Sequence, residues 1–513
     1  MSATTEATAG TIRLSRPTGR WVLLTAVLGS GMALLDSTVV NVALPHIGED
    51  LNADLSVLQW TVNAYLLTLA GLILLGGSLG DRYGRRRIFV IGVIWFAAAS
   101  LLCGIAPEAW MLIAARALQG IGGALLTPGS LALIQATFHP DDRARAVGAW
   151  SGLGGVAAAV GPFLGGWLVD GPGWRWVFLI NIPIALVCVP VAMRHVPESA
   201  EAPPSAPPDG GPPPHRRFDV AGAALGALAL GSLTYALIAA STEGLSAGVV
   251  VPAVAGVLLG VAFGWVESHR TDPMLPPSIF SSRLFTAVNV VTLCVYAALG
   301  GFFFLAVLQL QVVVGYSALV AGTALLPTTV LMLLLSARSG ELGARIGPRI
   351  PLTVGPLLAA AGLLLMTRAG PGAVYWRDIL PALLVFGMGL VALVAPLTAT
   401  VLAAVDVDRA GLASGVNNAI ARAGGLIAVA ALPLVAGFGP ESYRSATQFD
   451  AAFQRAMPIC AGVMLLASLI AWLTVRPAPR EGPEEPRCHP ECRIHCGVAA
   501  PPLDPGDVTV KKR

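Results

Sequence analysis

Long apolar segments separated by short polar ones restrict the fold of this chain more than any other feature. A helix needs about 20 predominantly apolar residues to cross roughly 30 Å of hydrocarbon. Charged residues make up only 12% of the chain, against roughly 25% in soluble domains. The sequence therefore predicts an all-α integral membrane protein with 14 transmembrane helices. The predicted spans are 21–44, 56–79, 88–105, 110–134, 146–169, 176–193, 220–240, 247–266, 284–308, 319–337, 350–366, 379–402, 412–437 and 457–475.

The placement of Lys and Arg predicts which side of the membrane each loop faces, because cytoplasmic loops carry an excess of positive charge. With the N-terminus placed in the cytoplasm, most of the 32 basic residues fall in cytoplasmic segments. The opposite side carries only Arg175, Arg368, Arg377, Arg444 and Arg455. Arg is far more frequent than Lys. Ala, Gly and Pro are also frequent, and together these features indicate a GC-rich, bacterial genome. We expect a multi-pass protein of a bacterial inner (cytoplasmic) membrane with both termini cytoplasmic.

The polar segments divide the predicted chain into parts. A Pro-rich and Gly-rich stretch separates helices six and seven, and such a composition forms no packed element. The polar C-terminal segment has no periodicity and is predicted to be disordered. We expect a cytoplasmic N-terminus (1–20), a six-helix half (21–193), a cytoplasmic linker (194–219), two inserted helices (220–266), a second six-helix half (284–475) and a cytoplasmic tail (476–513).

The predicted tail contains Cys488, His489, Cys492, His495 and Cys496. These ligand types suit zinc, but their spacing is irregular. A reduced tail without a metal is the simpler interpretation, so we predict no metal site.

A repeated motif relates the two ends of the chain. Residues 77–86 and 340–349 share the order Gly-x-Leu-Gly-x-Arg-x-Gly-x-Arg, and each copy follows an apolar span. Transporters are often built from such repeats. Helices nine to fourteen are therefore predicted to repeat helices one to six, which leaves helices seven and eight as an insertion. The second copy differs from the first by having Ala344 in place of Asp81.

The first copy of this motif resembles the G-x-L-x-D-R-x-G-R-[KR] signature of the major facilitator superfamily. Further stretches at 35–45, 116–120 and 161–166, and the sequence around Trp174, Phe178 and Asn181, resemble its fourteen-helix drug:proton antiporter branch. The resemblance implies the major facilitator fold, with two six-helix halves and two inserted helices. It also implies export of a small organic, antibiotic or drug-like compound in exchange for protons.

Two groups of residues take a role from this resemblance. The first would form a conformational latch that stabilises an outward-open state: Gly77, Asp81, Arg82, Gly84, Arg85 and Arg86. The second would bend helix five between the halves and favour export: Gly161, Pro162, Gly165 and Gly166. The residues themselves leave alternatives open. The arginines also suit cytoplasmic anchors, Asp81 could bond to them, and the glycines also suit close helix packing.

Ionisable side chains inside the bilayer are costly unless they are paired or hydrated. Asp36 in helix one and Arg116 in helix four are predicted to lie at similar depth. We hypothesise that both face a central cavity, that each influences the charge state of the other, and that Asp36 takes up the coupling proton. A static ion pair is the alternative. The equivalent positions of the second half are Leu299 and Ile379, which leaves that half more available for substrate.

Further polar, aromatic and charged residues of the spans are candidates for the substrate cavity, although each also suits an interhelical hydrogen bond or an interfacial anchor. They are Asn41, Trp60, Asn63, Tyr65, Gln119, Tyr296, Gln309, Gln311, Asn417, Asn418 and Arg422.

The sequence contains no phosphate-binding loop or nucleophile elbow, so we predict neither an enzyme nor an ATP-driven pump, and no cofactor. The expected partners are a small-molecule substrate, protons and the lipid bilayer, without nucleic acid, and the chain is expected to function as a monomer. Two other functions fit the same fold: an import uniporter or symporter, and a membrane sensor that binds a ligand without transporting it.

Overall fold

The computed structural model describes residues 12–199, 219–270, 273–406, 409–439, 442 and 445–475. The predicted tail and most of the predicted linker lie outside these residues. The described part of the chain contains 14 helices that are long and apolar enough to cross a membrane. They are α1 (Pro17–Asp50), α2 (Leu55–Tyr83), α3 (Arg85–Gly104), α4 (Ala109–Thr137), α5 (Pro140–Asp170), α6 (Trp176–His195), α7 (Val220–Glu243), α8 (Ala247–His269), α9 (Arg283–Val313), α10 (Ala318–Ile346), α11 (Arg349–Arg368), α12 (Tyr375–Ala403), α13 (Ala410–Ala436) and α14 (Ala446–Thr474).

Several helices extend beyond the spans predicted from the sequence. α1 has 34 residues, which at 1.5 Å per residue is about 50 Å, well above the hydrocarbon thickness. The spans predicted from the sequence include only the apolar residues that cross the hydrocarbon, whereas the helix itself continues into the headgroup layer. Local signals set the true ends: Pro17 stands in the first turn of α1, and the Asp54 carboxylate accepts a bond from the Val57 amide at the start of α2.

The packing of the helices confirms two related halves. In the first half, α2 and α3 pack on α4, α1 packs on α5, and α6 packs on α1 and α3. In the second half, α10 and α11 pack on α12, α9 packs on α13, and α14 packs on α9 and α11. Adding eight to each helix number of the first set gives the second set. The helix pair α7 and α8 lies outside this repeat: α7 packs against α2 and α13, and α8 packs on α7.

Two seams join the halves: α2 lies against α13, and α5 lies against α10. To describe them we name two ends of the bundle. The Asp50 end carries the α1–α2, α5–α6 and α9–α10 connections. The Arg85 end carries the α2–α3, α4–α5 and α10–α11 connections.

At the Asp50 end, three hydrogen-bonded contacts hold the halves together. The Asp170 carboxylate accepts bonds from the amides of Ala318 and Leu319 at 3.2 and 2.9 Å, which caps the first turn of α10. The Gln59 amide donates to the carbonyl of Val429 at 2.7 Å. On α9, Gln311 donates to the carbonyl of Val42 on α1 at 3.0 Å. These contacts close the Asp50 end.

At the Arg85 end, the α5–α10 seam is open. Leu334 and Leu342 of α10 are 65% and 55% exposed. On α5, a Cβ placed at Gly148 or Gly152 would meet no neighbouring atom of the described structure within 4 Å. The helices of this seam therefore separate towards the Arg85 end. The molecule is closed at the Asp50 end and open at the Arg85 end along the α5–α10 seam, whereas α2 and α13 stay in contact there through Leu74 and Gly415.

We predict that replacing Asp170 with Ala loosens the Asp50 end, because the amides of Ala318 and Leu319 in the first turn of α10 lose the capping acceptor that the other half supplies. Losing a cap costs about 1 kcal/mol, which corresponds to roughly a fivefold shift in a two-state equilibrium. In a background without native cysteines, a cysteine at the buried Ala318 should react about fivefold faster with a water-soluble maleimide.

The matched control is Asp54→Ala at the same end, since Asp54 caps only its own helix. An equal gain in labelling for both variants, or none for Asp170→Ala, would show that the cap does not hold the halves together.

Candidate functional site

The structure brings Asp36 and Arg116 into direct contact. The guanidinium Nη1 of Arg116 lies 2.6 Å from Oδ2 of Asp36. The two residues are 0% and 1% exposed, and they join α1 to α4 inside the first half. A buried pair of this kind is retained only where geometry and further hydrogen bonds compensate for the loss of water.

Three uncharged residues complete the environment of Asp36. Gln119 donates to Oδ1 of Asp36 at 2.7 Å and to the Ser100 hydroxyl at 2.8 Å. Its amide oxygen accepts from Arg116 at 2.6 Å. Asn181 also donates to Oδ1 of Asp36, at 3.4 Å, and to Ser100 at 3.2 Å. α1, α3, α4 and α6 thus meet in one polar network, which we call the Asp36 network.

Arg116 is held from the other side by α2 and by aromatic rings. Its Nε donates to the carbonyl of Thr61 at 3.0 Å. The guanidinium carbon lies 4.5 Å from the centre of the Tyr65 ring and 5.7 Å from that of Phe178. Both rings lie within the range of a cation–π interaction. The orientation of the arginine is therefore fixed by hydrogen bonds and by stacking together.

The Asp36 network is built for the ionised form of Asp36. The described contacts of its carboxylate come from donors: the guanidinium of Arg116 and the amide groups of Gln119 and Asn181. A protonated Asp36 would present a hydroxyl group to one of these donors. Gln119 cannot simply turn its amide oxygen towards that hydroxyl, because the same oxygen accepts from Arg116. Uptake of a proton therefore requires the network to rearrange.

The loop between α2 and α3 contains the residues predicted to form a latch. Asp81 pairs with Arg85 at 2.9 Å, one helical turn further along the chain. Arg86 pairs with Glu198 at 3.4 Å and donates to the carbonyl of Val196 at 3.0 Å. In this conformation these acidic and basic side chains bond within the first half. Of the two roles considered for Asp81, bonding to a nearby arginine is the one present here.

The other latch residues shape the same loop. Gly84 has a φ of +104°, a backbone conformation that favours glycine. The Arg82 guanidinium lies 5.7 Å from the centre of the Tyr83 ring, and Gly77 faces Pro128 of α4.

The glycines of α5 lie at two contacts. A side chain at Gly161 would collide with Thr38, and one at Gly165 would come within 3.0 Å of Val39. Both residues therefore let α5 approach α1. Gly166 faces the first turn of α10, where the backbone of Leu319 leaves no room for a Cβ, and the carbonyl of Pro162 lies against Gly322 of α10. This stretch thus serves both the packing of the first half and the α5–α10 seam.

The predicted cavity residues are distributed over several environments. Tyr65 and Gln119 belong to the Asp36 network. Gln309 donates to Asp450 and to the carbonyl of Ala369 within the second half, both at 2.7 Å. Asn417 joins α13 to α9 through Asn289 and Thr292. These residues make the interhelical bonds that the sequence left as an alternative.

The remaining candidates lie nearer to the seams or the surface. Trp60 faces Tyr235 of the inserted α7 with ring centres 6.3 Å apart. Asn418 bonds to the carbonyl of Ser414 in its own helix, and Asn41 is half-buried in α1. Gln311 crosses between the halves at the Asp50 end. Asn63, Tyr296 and Arg422 lie along or near the α2–α13 seam.

The sequence pattern of the Major Facilitator Superfamily matches residues 26–429. The chain belongs to this superfamily. Among its relatives, the puromycin resistance protein pur8 of Streptomyces alboniger is 35% identical over 89% of this chain and 91% of that protein. The multidrug resistance protein Stp of Mycobacterium tuberculosis is 33% identical over 93% of this chain and 86% of its own length. These relatives confirm the predicted branch of drug efflux transporters.

The fold is also that of solved transporters of the major facilitator type. A POT family transporter in complex with a thioalcohol-conjugated peptide superposes with a TM-score of 0.66, covering 91% of this chain and 98% of that one. The two share 14% sequence identity, so the similarity concerns the fold.

Some residues in the Asp36 network or next to it were not recognised from the sequence as part of the charged site. Asn181 and Phe178 appeared only as matches to the family, although a polar residue within the sixth apolar span was a signal for Asn181. Gln119 stands three residues after Arg116, which places both on one face of a helix. Ser100 gave no signal, because a single serine in an apolar helix commonly bonds its own backbone.

We predict that Arg116→Met destabilises the protein more than Asp36→Asn combined with Arg116→Met. Removing one partner of a buried ion pair leaves an uncompensated charge, which costs about 3–5 kcal/mol. The double variant removes both charges, so its thermal unfolding in detergent should occur at a higher temperature than that of Arg116→Met.

Arg422→Met serves as the matched control, since it removes an intramembrane arginine that forms no ion pair with a described residue. It should unfold near the temperature of the unchanged protein. If it were as unstable as Arg116→Met, loss of arginine packing rather than an unpaired carboxylate would explain the effect.

Proposed function

We propose that this transporter exports a small organic, drug-like compound across the cytoplasmic membrane of a bacterium in exchange for protons. The observation that supports the proposal is the buried Asp36 network. Its hydrogen-bond donors match an Asp36 carboxylate without a proton and do not match a protonated one. The named activities of its relatives, resistance to puromycin and to multiple drugs, support export as the direction.

Proton exchange would proceed through Asp36. In the conformation closed at the Asp50 end, the carboxylate accepts hydrogen bonds from Arg116, Gln119 and Asn181. A proton arriving at Asp36 removes the ion pair, and the released guanidinium must find other acceptors. The conformation that provides them is favoured only while Asp36 is neutral, which couples proton uptake to the change of state.

The orientation of the transporter follows from the positive-inside rule. The Arg85 end carries Arg82, Arg85, Arg86 and Arg87 on one connection alone, so we place it in the cytoplasm together with both termini. The open end then faces the cytoplasm and admits substrate from inside the cell. The linker would span the halves on the same side, and a single chain would suffice, since each half contributes to both seams.

A non-transporting sensor and an importer remain distinguishable from this proposal by experiment. A sensor would bind a compound without moving protons, and an importer would move substrate along with protons instead of against them. Everted membrane vesicles with an imposed proton gradient, acid inside, separate these outcomes by the direction of proton and compound movement.

We predict that Asp36→Asn abolishes proton-driven uptake of drugs into such vesicles while leaving compound binding. Puromycin and rhodamine B serve as test compounds, and release of lumenal protons on their addition is followed with a pH-sensitive dye. The asparagine keeps the size of the side chain but cannot be ionised, so at least a tenfold loss of coupled flux is expected, about the effect of losing one charge-assisted bond.

Asp50→Asn is the control, because its carboxylate pairs with Arg175 at the exposed end of α1. It should retain proton-coupled uptake. If Asp36→Asn also retained it, Asp36 would not be the coupling residue.

A further inference from the structure

Arg422 lies near the middle of α13, twelve residues after the helix begins at Ala410. It is half-buried. Its guanidinium makes no hydrogen bond or ion pair with any residue that the structure describes. Arg116 of α4, by contrast, has an aspartate, a glutamine and a carbonyl around it. A cation inside a membrane domain is costly unless it is paired or hydrated, and half-buried Arg422 has no anionic partner among the described residues.

The α2–α13 seam shows which residues lie level with Arg422. Gln59 of α2 donates to Val429 of α13, and Leu74 of α2 lies at Gly415. The two helices therefore run antiparallel, with numbers rising along one as they fall along the other. Arg422 then lies level with the turn of α2 after Tyr65.

Asn63 stands on the same seam, one helical turn after Gln59 and on the same face of α2. It is 0% exposed, and neither its amide nitrogen nor its amide oxygen has a described hydrogen-bond partner. By the register of the seam it lies about one turn from Arg422, towards the Asp50 end. An unpaired amide and an unpaired guanidinium thus occupy neighbouring turns between the halves.

Two phenols complete this group. By the register of the seam Tyr65 of α2 lies within about one turn of Arg422. On α9, the backbone carbonyl of Tyr296 lies 3.9 Å from a Cβ placed at Gly425, three residues after Arg422. The Tyr65 ring also lies against Arg116, so Tyr65 connects this group to the Asp36 network. We call Asn63, Tyr65, Tyr296 and Arg422 the seam group.

The seam group is rich in donors and poor in negative charge. A guanidinium offers five N–H donors in a planar fork that fits a carboxylate, and amides and phenols add further donors. The nearby Asp36 carboxylate is already paired with Arg116, so it does not neutralise Arg422. Aromatic rings beside the fork suit a flat, unsaturated body.

We propose that Arg422 binds the carboxylate of the exported compound, which makes aromatic carboxylic acids the preferred substrate class of this transporter. This inference rests on the proposed function. The acid group would pair with Arg422 between the halves, with Asn63 and the two phenols donating to it or to neighbouring oxygens. A compound held at Arg422 would lie close to the Asp36 network, because the Tyr65 ring contacts Arg116.

The test compares rhodamine B with its ethyl ester, which share one aromatic body and differ in the free carboxylate. Fluorescence polarisation with the purified full-length protein in detergent measures the affinity for each dye. The unchanged protein should bind the acid about tenfold more tightly than the ester, and Arg422→Gln should remove this preference by weakening acid binding alone, as expected for the loss of a charged hydrogen bond. Arg422→Lys keeps the charge and should retain part of the preference.

Arg409→Gln is the matched control, since it removes a positive charge from the residue that precedes the first turn of the same helix. It should leave the preference for the acid unchanged. Inorganic phosphate should not compete with the dye, because it lacks the aromatic body; full competition would assign the site to small inorganic anions and overturn the proposal.

Two results would contradict the inference without touching the proposed function. The first is equal binding of acid and ester by the unchanged protein, and the second is an equal loss for both dyes in Arg422→Gln. If either result is found and the ester still drives proton release from vesicles, the proposed proton-coupled export is supported and only the carboxylate site is contradicted. Failure of both dyes and of puromycin to move protons would instead count against the proposed function.

Discussion

The buried ion pair between Asp36 and Arg116 is the interaction on which the first half depends. Taking both charges out of water is tolerable only while each has the other and a full set of hydrogen bonds. Gln119 and Asn181 donate to Asp36 and both also donate to Ser100, so two helices besides α1 and α4 take part in the network. Four helices are therefore held together by hydrogen bonds centred on a single buried carboxylate.

Much of the fold could be predicted from the sequence, because the bilayer imposes a length and a hydrophobicity on every spanning helix. The number of helices, the two repeated halves and the inserted pair all follow from that constraint and from one repeated loop motif. Helix ends beyond the hydrocarbon did not follow, as α1 shows by continuing to Asp50. They depend on caps and turns, which carry no hydrophobic signal.

The site was predictable in part, and there is a physical reason why some of its residues could be recognised from the sequence and others could not. Asp36 and Arg116 stood out because a charge within an apolar span is rare. Ser100 and Asp170 did not stand out. An uncharged polar residue in a helix and a charged residue at a helix end are both common, and only their tertiary contacts show that they have a specific role. Gln309 and Asn417, considered for the cavity, make bonds inside the second half. Their partners come from distant parts of the chain, which no local pattern reveals.

The two halves share a packing scheme, but only the first contains the buried ion pair. α2 contacts both this ion pair and α13 of the second half. Its Thr61 carbonyl and Tyr65 ring hold Arg116, its Gln59 closes the seam to α13, and its last turn carries Asp81. The equivalent α10 meets no such charged network, because Leu299 and Ile379 occupy the positions that correspond to the ion pair. Arg116 is therefore in direct contact with α2. Since α2 also forms one of the two seams, the proposed proton exchange at Asp36 would reach the contact between the halves through this one helix.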